Sequence, residues 1–228
     1  MKFIAECGLN HNGNHDLTYE LIRQASFSGA DVAKFQLGWR DGKDEINNIQ
    51  PDRIDSIINH CNYMEIDPLF TIVTDEAFKM IEPFKMEYIK IASRTVIENP
   101  DLIKKVLDSG YKTIISLGMW KGDELPFGTD DQIDYLWCVS KYPCLPTDLN
   151  FFPKDFISNS YSGYSDHTLG IETAILAISR GAQIIEKHFT LDKSDTTIKD
   201  HALSASPEEF RSMVQIGKEM NKLVNLGI

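Results

Sequence analysis

The chain has 228 residues, 42% hydrophobic and 25% charged, enough for one large core without disulfides or a structural metal. Its net charge of -11 argues against non-specific binding to nucleic acid or anionic membranes, yet leaves room for a basic pocket that takes a small anion. Four cysteines with no C-x-x-C pair, an N-terminus that turns polar at once after MKFIAEC, and no apolar stretch of membrane length point to a cytoplasmic protein with free thiols.

Short β-branched or aromatic runs alternate with longer amphipathic ones. Phe3 to Cys7 reads as a strand, followed by a helix from Leu17 to Ser28 with Asp16 as its N-cap. Val32 to Gln36 is the second strand. The helix Asp52 to Met64 places Ile54, Ile57, Ile58 and Cys61 on one face. Pro68 to Ile72 is the third strand, and Glu76 to Phe84 a helix capped by Thr74 or Asp75. Tyr88 to Ile91 is the fourth strand. Asp101 to Ser109 is a helix between Asn99-Pro100 and Gly110, an ordered start and stop. Lys112 to Leu117 is the fifth strand, and Trp120 to Gln132 holds at most a stunted helix. Tyr135 to Val139 is the sixth strand, then a short helix spans Phe152 to Asn159. Ser162 to Ser165 and Ile184 to Phe189 are the last two strands, separated by a helix from Ile171 to Arg180. Pro207 to Leu226 is a long final helix.

Eight strand-then-helix units in series require parallel pairing through crossovers. A doubly wound open sheet also alternates. The count of eight favours an α/β fold of the (β/α)8 TIM-barrel type, as a single domain over residues 1–228. Strands of a parallel sheet are covered on both faces and should be apolar throughout. Here Glu6, Lys34, Lys90, Glu186 and His188 interrupt them near the C-terminal ends, with Ser116 as a neutral companion. That is the end at which barrel active sites are built. Alternation puts Glu186 with His188, and Lys34 with Gln36, on shared faces. For any one of these residues, a buried ion pair is the competing explanation.

His167 and His188 end adjacent strands and are the candidate metal ligands, with Asp166 and Glu186 as further ligands or supports. Two imidazoles leave coordination positions open for substrate and water. His60 reads as a surface or boundary residue, and His11 and His201 carry little information. Lys34, Lys90, Ser93, Ser116 and Ser165 suit a phosphate, or a carboxylate plus phosphate. The serines also fit ordinary turn chemistry.

Several stretches carry a resemblance: Ala5-Glu6-Cys7-Gly8 through Asn10-His11-Asn12-Gly13, Val32-Ala33-Lys34-Phe35-Gln36, Lys90-Ile91-Ala92-Ser93, Ser116-Leu117-Gly118-Met119 and Cys138 to Pro143. The most specific are Gly163-Tyr164-Ser165-Asp166-His167-Thr168-Leu169-Gly170 and Ile185-Glu186-Lys187-His188-Phe189-Thr190-Leu191-Asp192, with Asp200-His201 after them. The chain resembles the catalytic barrel of the sialic acid (N-acetylneuraminate) synthase family, without its C-terminal antifreeze-like (SAF) domain, since it ends at Ile228.

The resemblance implies condensation of phosphoenolpyruvate with an aldose such as N-acetylmannosamine, giving a sialic-acid-type 2-keto sugar acid and phosphate. It implies that His167 and His188 bind a divalent metal, Mn2+ or Mg2+. It places Lys34, Lys90, Ser93, Ser116 and Ser165 at phosphoenolpyruvate, Tyr142 and Asp200 at the sugar, and Glu6 and Glu186 as the acid/base carboxylates. The implied partners are small-molecule substrates, not nucleic acid or membrane; a homodimer is left open. The chain also departs from the family. Residues 38–50 replace a longer connection, Ile72 stands for a phosphate-contacting threonine, Ser140 for an asparagine, and Thr196 to Lys199 for a glycine- and proline-rich segment. Arg94 replaces a carboxylate, and either restores positive charge to the phosphate site or marks a different acceptor. Two other readings stand beside this one: a barrel lyase or isomerase that kept the metal and phosphate site, and a non-catalytic partner of a full-length synthase.

Overall fold

A computed structural model describes residues 1–38 and 48–227. The strands are β1 Lys2–Gly8, β2 Val32–Leu37, β3 Asp67–Ile72, β4 Tyr88–Ile91, β5 Lys112–Ser116, β6 Ile133–Cys138, β7 Gly163–Asp166 and β8 Ile184–His188. They pair in parallel and in chain order, and β8 closes on β1, giving the expected barrel. The helices are α1 His15–Phe27, α2 Pro51–Tyr63, α3 Asp75–Ile81, α4 Ser93–Glu98, α5 Pro100–Asp108, α6 Glu172–Ser179 and α7 Pro207–Asn225. None of the described helices is long and apolar enough to cross a membrane. Of the short connection expected at 38–50, residues 39–47 lie outside the described residues.

Helix boundaries shift where local chemistry outcompetes periodicity. Asn14, not Asp16, caps α1, because its side chain accepts the Asp16 N–H. Asp16 then sits in the first turn, where its charge suits the helix dipole. Thr74 caps α3 by accepting the Ala77 N–H, and α3 stops at Ile81 because Pro83 cannot continue it. The predicted helix Phe152 to Asn159 is absent. Asp155 instead accepts the N–H groups of Ile157 and Ser158, and this local bonding replaces the helical pattern. Phe152 still covers the barrel, edge-on to Trp137 and Tyr164. The short helix α4 was not expected; its six residues are too few to show a period.

Strand alternation sorts the core into two sets. Outward residues such as Phe3, Phe35, Phe70, Ile91, Tyr164 and Ile185 meet the helices. Inside, Ile4, Val32, Leu69, Ile114, Leu136 and Ile184 form a separate apolar plug with Tyr88 against it. Gly163 completes this layer; a Cβ there would lie 1.9 Å from the Ile184 carbonyl oxygen, so β7 and β8 can approach only because residue 163 has no side chain. Two residues further along all eight strands stand Glu6, Lys34, Thr71, Lys90, Ser116, Cys138, Ser165 and Glu186, every one buried. One step of the pleat thus exchanges an apolar floor for a polar ring at the C-terminal end.

Candidate active site

Above that ring lies a cavity of about 380 Å3, lined among others by Glu6, Lys34, Thr71, Lys90, His167, Glu186 and His188. Lys34 stands at its centre. Its Nζ is 2.8 Å from Glu6 Oε2 and 3.1 Å from Glu186 Oε2, and it donates to Thr71 Oγ1 at 3.2 Å. Lys90 donates to Ser116 Oγ at 2.7 Å and to its neighbour's carbonyl, Ile91 O, at 2.9 Å, with Glu186 Oε1 at 3.9 Å. Ser165 donates to Glu186 Oε1, and Gln36 to Glu6 Oε1.

These contacts divide the two carboxyls. Burial alone would raise both. For Glu186 the ammonium groups of Lys34 and Lys90 outweigh it and hold the carboxyl down at about 2. For Glu6 burial wins over the single cation Lys34, and the nearby Glu186 charge pushes the same way, so its carboxyl is raised. Burial also lowers Lys90 to about 8, whereas the two carboxylates beside Lys34 more than offset burial and raise it.

The two predicted imidazoles meet. Their ring centroids are 5.4 Å apart and both rings are buried. His167 Nδ1 is 2.7 Å from Val139 O. A carbonyl only accepts, so Nδ1 carries the proton and Nε2 keeps its lone pair. Burial pushes His167 down to about 4 and lowers His188 as well, so both rings are neutral at pH 7. His188 Nδ1 is buried with no hydrogen-bond partner, and its nearest carboxylate, Asp200 Oδ2, is 3.9 Å away. Among the described residues no group of three or more His, Cys, Asp or Glu forms a closed cage. The adjacent neutral imidazoles are the side chains there whose lone pairs a divalent ion could use, with solvent and ligand oxygens as its other partners.

Tyr142, followed by a cis bond to Pro143, lays its ring 4.4 Å from that of His167. Asp200 stands beyond His188, its Oδ1 buried without a hydrogen-bond partner. Ser93 lines the cavity while its Oγ accepts the Gly118 N–H at 2.8 Å. Arg94 also lines it, but at the rim: its half-exposed guanidinium lies 3.3 Å from Glu98.

Two expectations are corrected. Asp166 cannot be a ligand: it lies on the outer face of β7, fully buried, ion-paired with Lys187 at 3.1 Å, so only the supporting role is left to it. Alternation sends Ser165 and His167 inward and Asp166 the other way. Ile72 likewise packs outward in the core, so a hydroxyl at 72 would not reach the cavity. Thr71, the inward residue of β3, supplies one instead. Sequence reasoning missed Thr71 and also Lys141 and Lys199, which line the cavity, Lys141 from a loop and Lys199 from the start of the short 3-10 helix Lys199–Leu203. For Thr71 the signal was available, since it stands two residues after inward Leu69. His60 is half-buried on α2 beside Tyr19, as a boundary residue should be.

The sequence profile of the NeuB family matches residues 42–227. The chain belongs to the NeuB family. A relative from Methanocaldococcus jannaschii, an uncharacterized protein, is 33% identical over 98% of this chain and 72% of its own length, so the similarity includes Glu6 and Lys34, which precede the profile match. The N,N'-diacetyllegionaminic acid synthase of Campylobacter jejuni is 28% identical over 99% of this chain and 78% of its own length. Among solved structures, the N-acetylneuraminic acid synthetase of Leptospira borgpetersenii, in complex with citrate, is similar with a TM-score of 0.86 at 28% identity, covering 97% of this chain and 84% of that one. This NeuB-family barrel is thus similar to synthases of acidic sugars over nearly its whole length.

Proposed function

We propose that this barrel joins phosphoenolpyruvate to an aldose of the N-acetylmannosamine type and releases phosphate, forming a sialic-acid-type 2-keto sugar acid. The observation that carries the proposal is the meeting, over one polar ring, of two buried ammonium groups and two neutral imidazoles. Lys34 is already enclosed by Glu6, Glu186 and Thr71, so Lys90 is the freer cation for the substrate phosphate, with Ser93, Ser116 and Ser165 adding hydroxyls and Arg94 charge at the rim. A divalent ion held by His167 and His188, manganese or magnesium, would supply a Lewis acid to the aldehyde oxygen.

The new bond forms between C3 of the enol and the aldehyde carbon. Glu6, whose carboxyl burial raises above its ordinary value, is the better placed of the two to act as the acid and give a proton to the new hydroxyl. The cation left at C2 takes up water, one of whose protons passes to ionised Glu186; the C2–O bond to phosphate then breaks, the remaining hydroxyl proton leaves with the phosphate, and the C2 carbonyl forms. Tyr142 and Asp200 border the space for the sugar beside the imidazoles. All four cysteines are free and buried, in keeping with a reducing cytoplasm.

Phosphate release from phosphoenolpyruvate with Mn2+ and a panel of N-acetyl hexosamines tests the reading. Release that depends on the acceptor is expected; none with any aldehyde acceptor would sink it. Lys90→Ala is expected to weaken phosphoenolpyruvate binding by about 1.5–3 kcal/mol, the range for a charge-assisted hydrogen bond. Unchanged affinity by calorimetry would remove Lys90 from the phosphate site. Its depressed pKa adds a pH signature. A bound anion favours the charged lysine, so sulfate affinity should be level below about 8 and fall as pH rises through it. Affinity that stays level to pH 9.5 would contradict this assignment.

A further inference from the structure

β7 and β8 are in register as Ser165 opposite Glu186 and Asp166 opposite Lys187, and the strand pairing ends there. His167 and His188 occupy the next rung, on the cavity face, where that ladder no longer holds the two strands together. On the outer face, side chains take over. Lys187 Nζ reaches across from β8 to Asp166 Oδ2 at 3.1 Å and also donates to the Thr168 carbonyl. It therefore grips the residues immediately before and after His167. Asp166 Oδ1 accepts from the Thr168 N–H and hydroxyl, both at 2.8 Å, and from the Tyr164 hydroxyl at 3.0 Å. Its other oxygen also accepts from Thr173 Oγ1 at 3.0 Å, in the first turn of α6.

Both members of this ion pair are wholly inaccessible to solvent. A buried pair is weak evidence of stabilisation, because packed apolar residues of the same volume often serve as well or better. What an apolar pair cannot do is hold a backbone carbonyl at one distance from the neighbouring strand.

We propose that Lys187 and Asp166 are positioning residues that set the separation of the His167 and His188 imidazoles, and so tune divalent-ion affinity without touching the ion. The proposal rests on the reading of those histidines as the metal ligands. Groups bonded directly to metal-ligating residues commonly contribute about 10–100-fold to metal affinity; Lys187 and Asp166 act one step further out, through the backbone on either side of His167.

The test is calorimetric titration with Mn2+ and, separately, with sulfate as a probe of the lysine site. The charge-neutral double variant Asp166→Asn/Lys187→Met avoids stranding a buried charge. It is expected to bind Mn2+ about tenfold more weakly or worse, with sulfate affinity at the wild-type level. Lys187→Arg, which keeps the cation opposite Asp166, should bind Mn2+ at close to the wild-type level. A folded double variant with wild-type Mn2+ affinity overturns the proposal, as does an equal loss of Mn2+ and sulfate, which marks general loosening. Should the double variant fail to fold, Thr173→Val decides: the loss of one bond to Asp166 should weaken Mn2+ about threefold, and no change overturns the proposal. Wild-type protein that binds no Mn2+ would remove the ligand reading itself, whereas wild-type binding matched by every variant removes only the positioning role.

Discussion

His188→Ala is expected to abolish Mn2+ binding and leave the barrel folded. His188 is the last residue of β8, and its Nδ1 makes no hydrogen bond, so truncation strands no partner apart from the distant Asp200 carboxylate. With one imidazole gone, the remaining one cannot hold the ion alone; the loss should exceed the roughly hundredfold upper range seen for outer-partner changes. A thermal melt reads both halves of the claim. Metal at a hundred times its dissociation constant stabilises the native state by about 2.7 kcal/mol, so added Mn2+ should raise the wild-type midpoint and leave the variant's unmoved. A variant that keeps the shift shows the ligands to be other residues. His167→Ala should lose the metal too, but at some cost to the apo fold, because Val139 O then loses its donor. The pH dependence has a defined sign. Metal competes with protons for neutral imidazole, and burial has already moved His167 from 6.5 to about 4. Burial lowers both rings, so affinity should persist to a lower pH than ordinary histidines would allow and fall as either imidazole takes up its proton.

The barrel was legible in the sequence because the physical signal repeats. Most strands are apolar runs broken near their C-terminal ends by polar residues, and a parallel sheet covered on both faces tolerates such residues only with a reason. Alternation correctly paired Glu186 with His188 and Lys34 with Gln36. The same rule, applied to the seventh and third strands, would have turned Asp166 outward and picked Thr71 over Ile72.

Other features lay beyond sequence reasoning. The six residues of α4 carry no usable period. Lys141 reaches the cavity from a loop and Lys199 from a five-residue 3-10 helix, neither of which carries a period. The ion-pair explanation and the active-site explanation of the polar strand ends were set against each other, yet Lys34 meets both: it pairs with two carboxylates and lines the cavity. Only coordinates show that one side chain serves two carboxyls whose protons are held differently.

That double contact makes Lys34→Met the substitution with the largest expected effect on stability. Lys34 Nζ lies within 4 Å of both Glu6 and Glu186, and all three side chains are buried. Breaking such a pair by removing one partner costs about 3–5 kcal/mol. Glu186 would keep Lys90 and the Ser165 hydroxyl, so it remains ionised. Glu6 would lose the cation that now opposes its burial, and its carboxyl, already above the ordinary 4.5, would rise further. A carboxyl with a higher pKa in the folded than in the unfolded chain binds its proton more tightly when folded. Stability is then greatest below the unfolded value and is lost as pH rises through the folded one. Urea unfolding should accordingly show the variant closest to wild type near pH 4.5 and furthest from it at neutral pH. Adding Glu6→Gln removes the titrating group, so the double variant should lose this slope and recover part of the deficit at pH 7. A deficit of equal size at both pH values would mean that Glu6 does not carry the proton, and its assignment as the acid would fall with it.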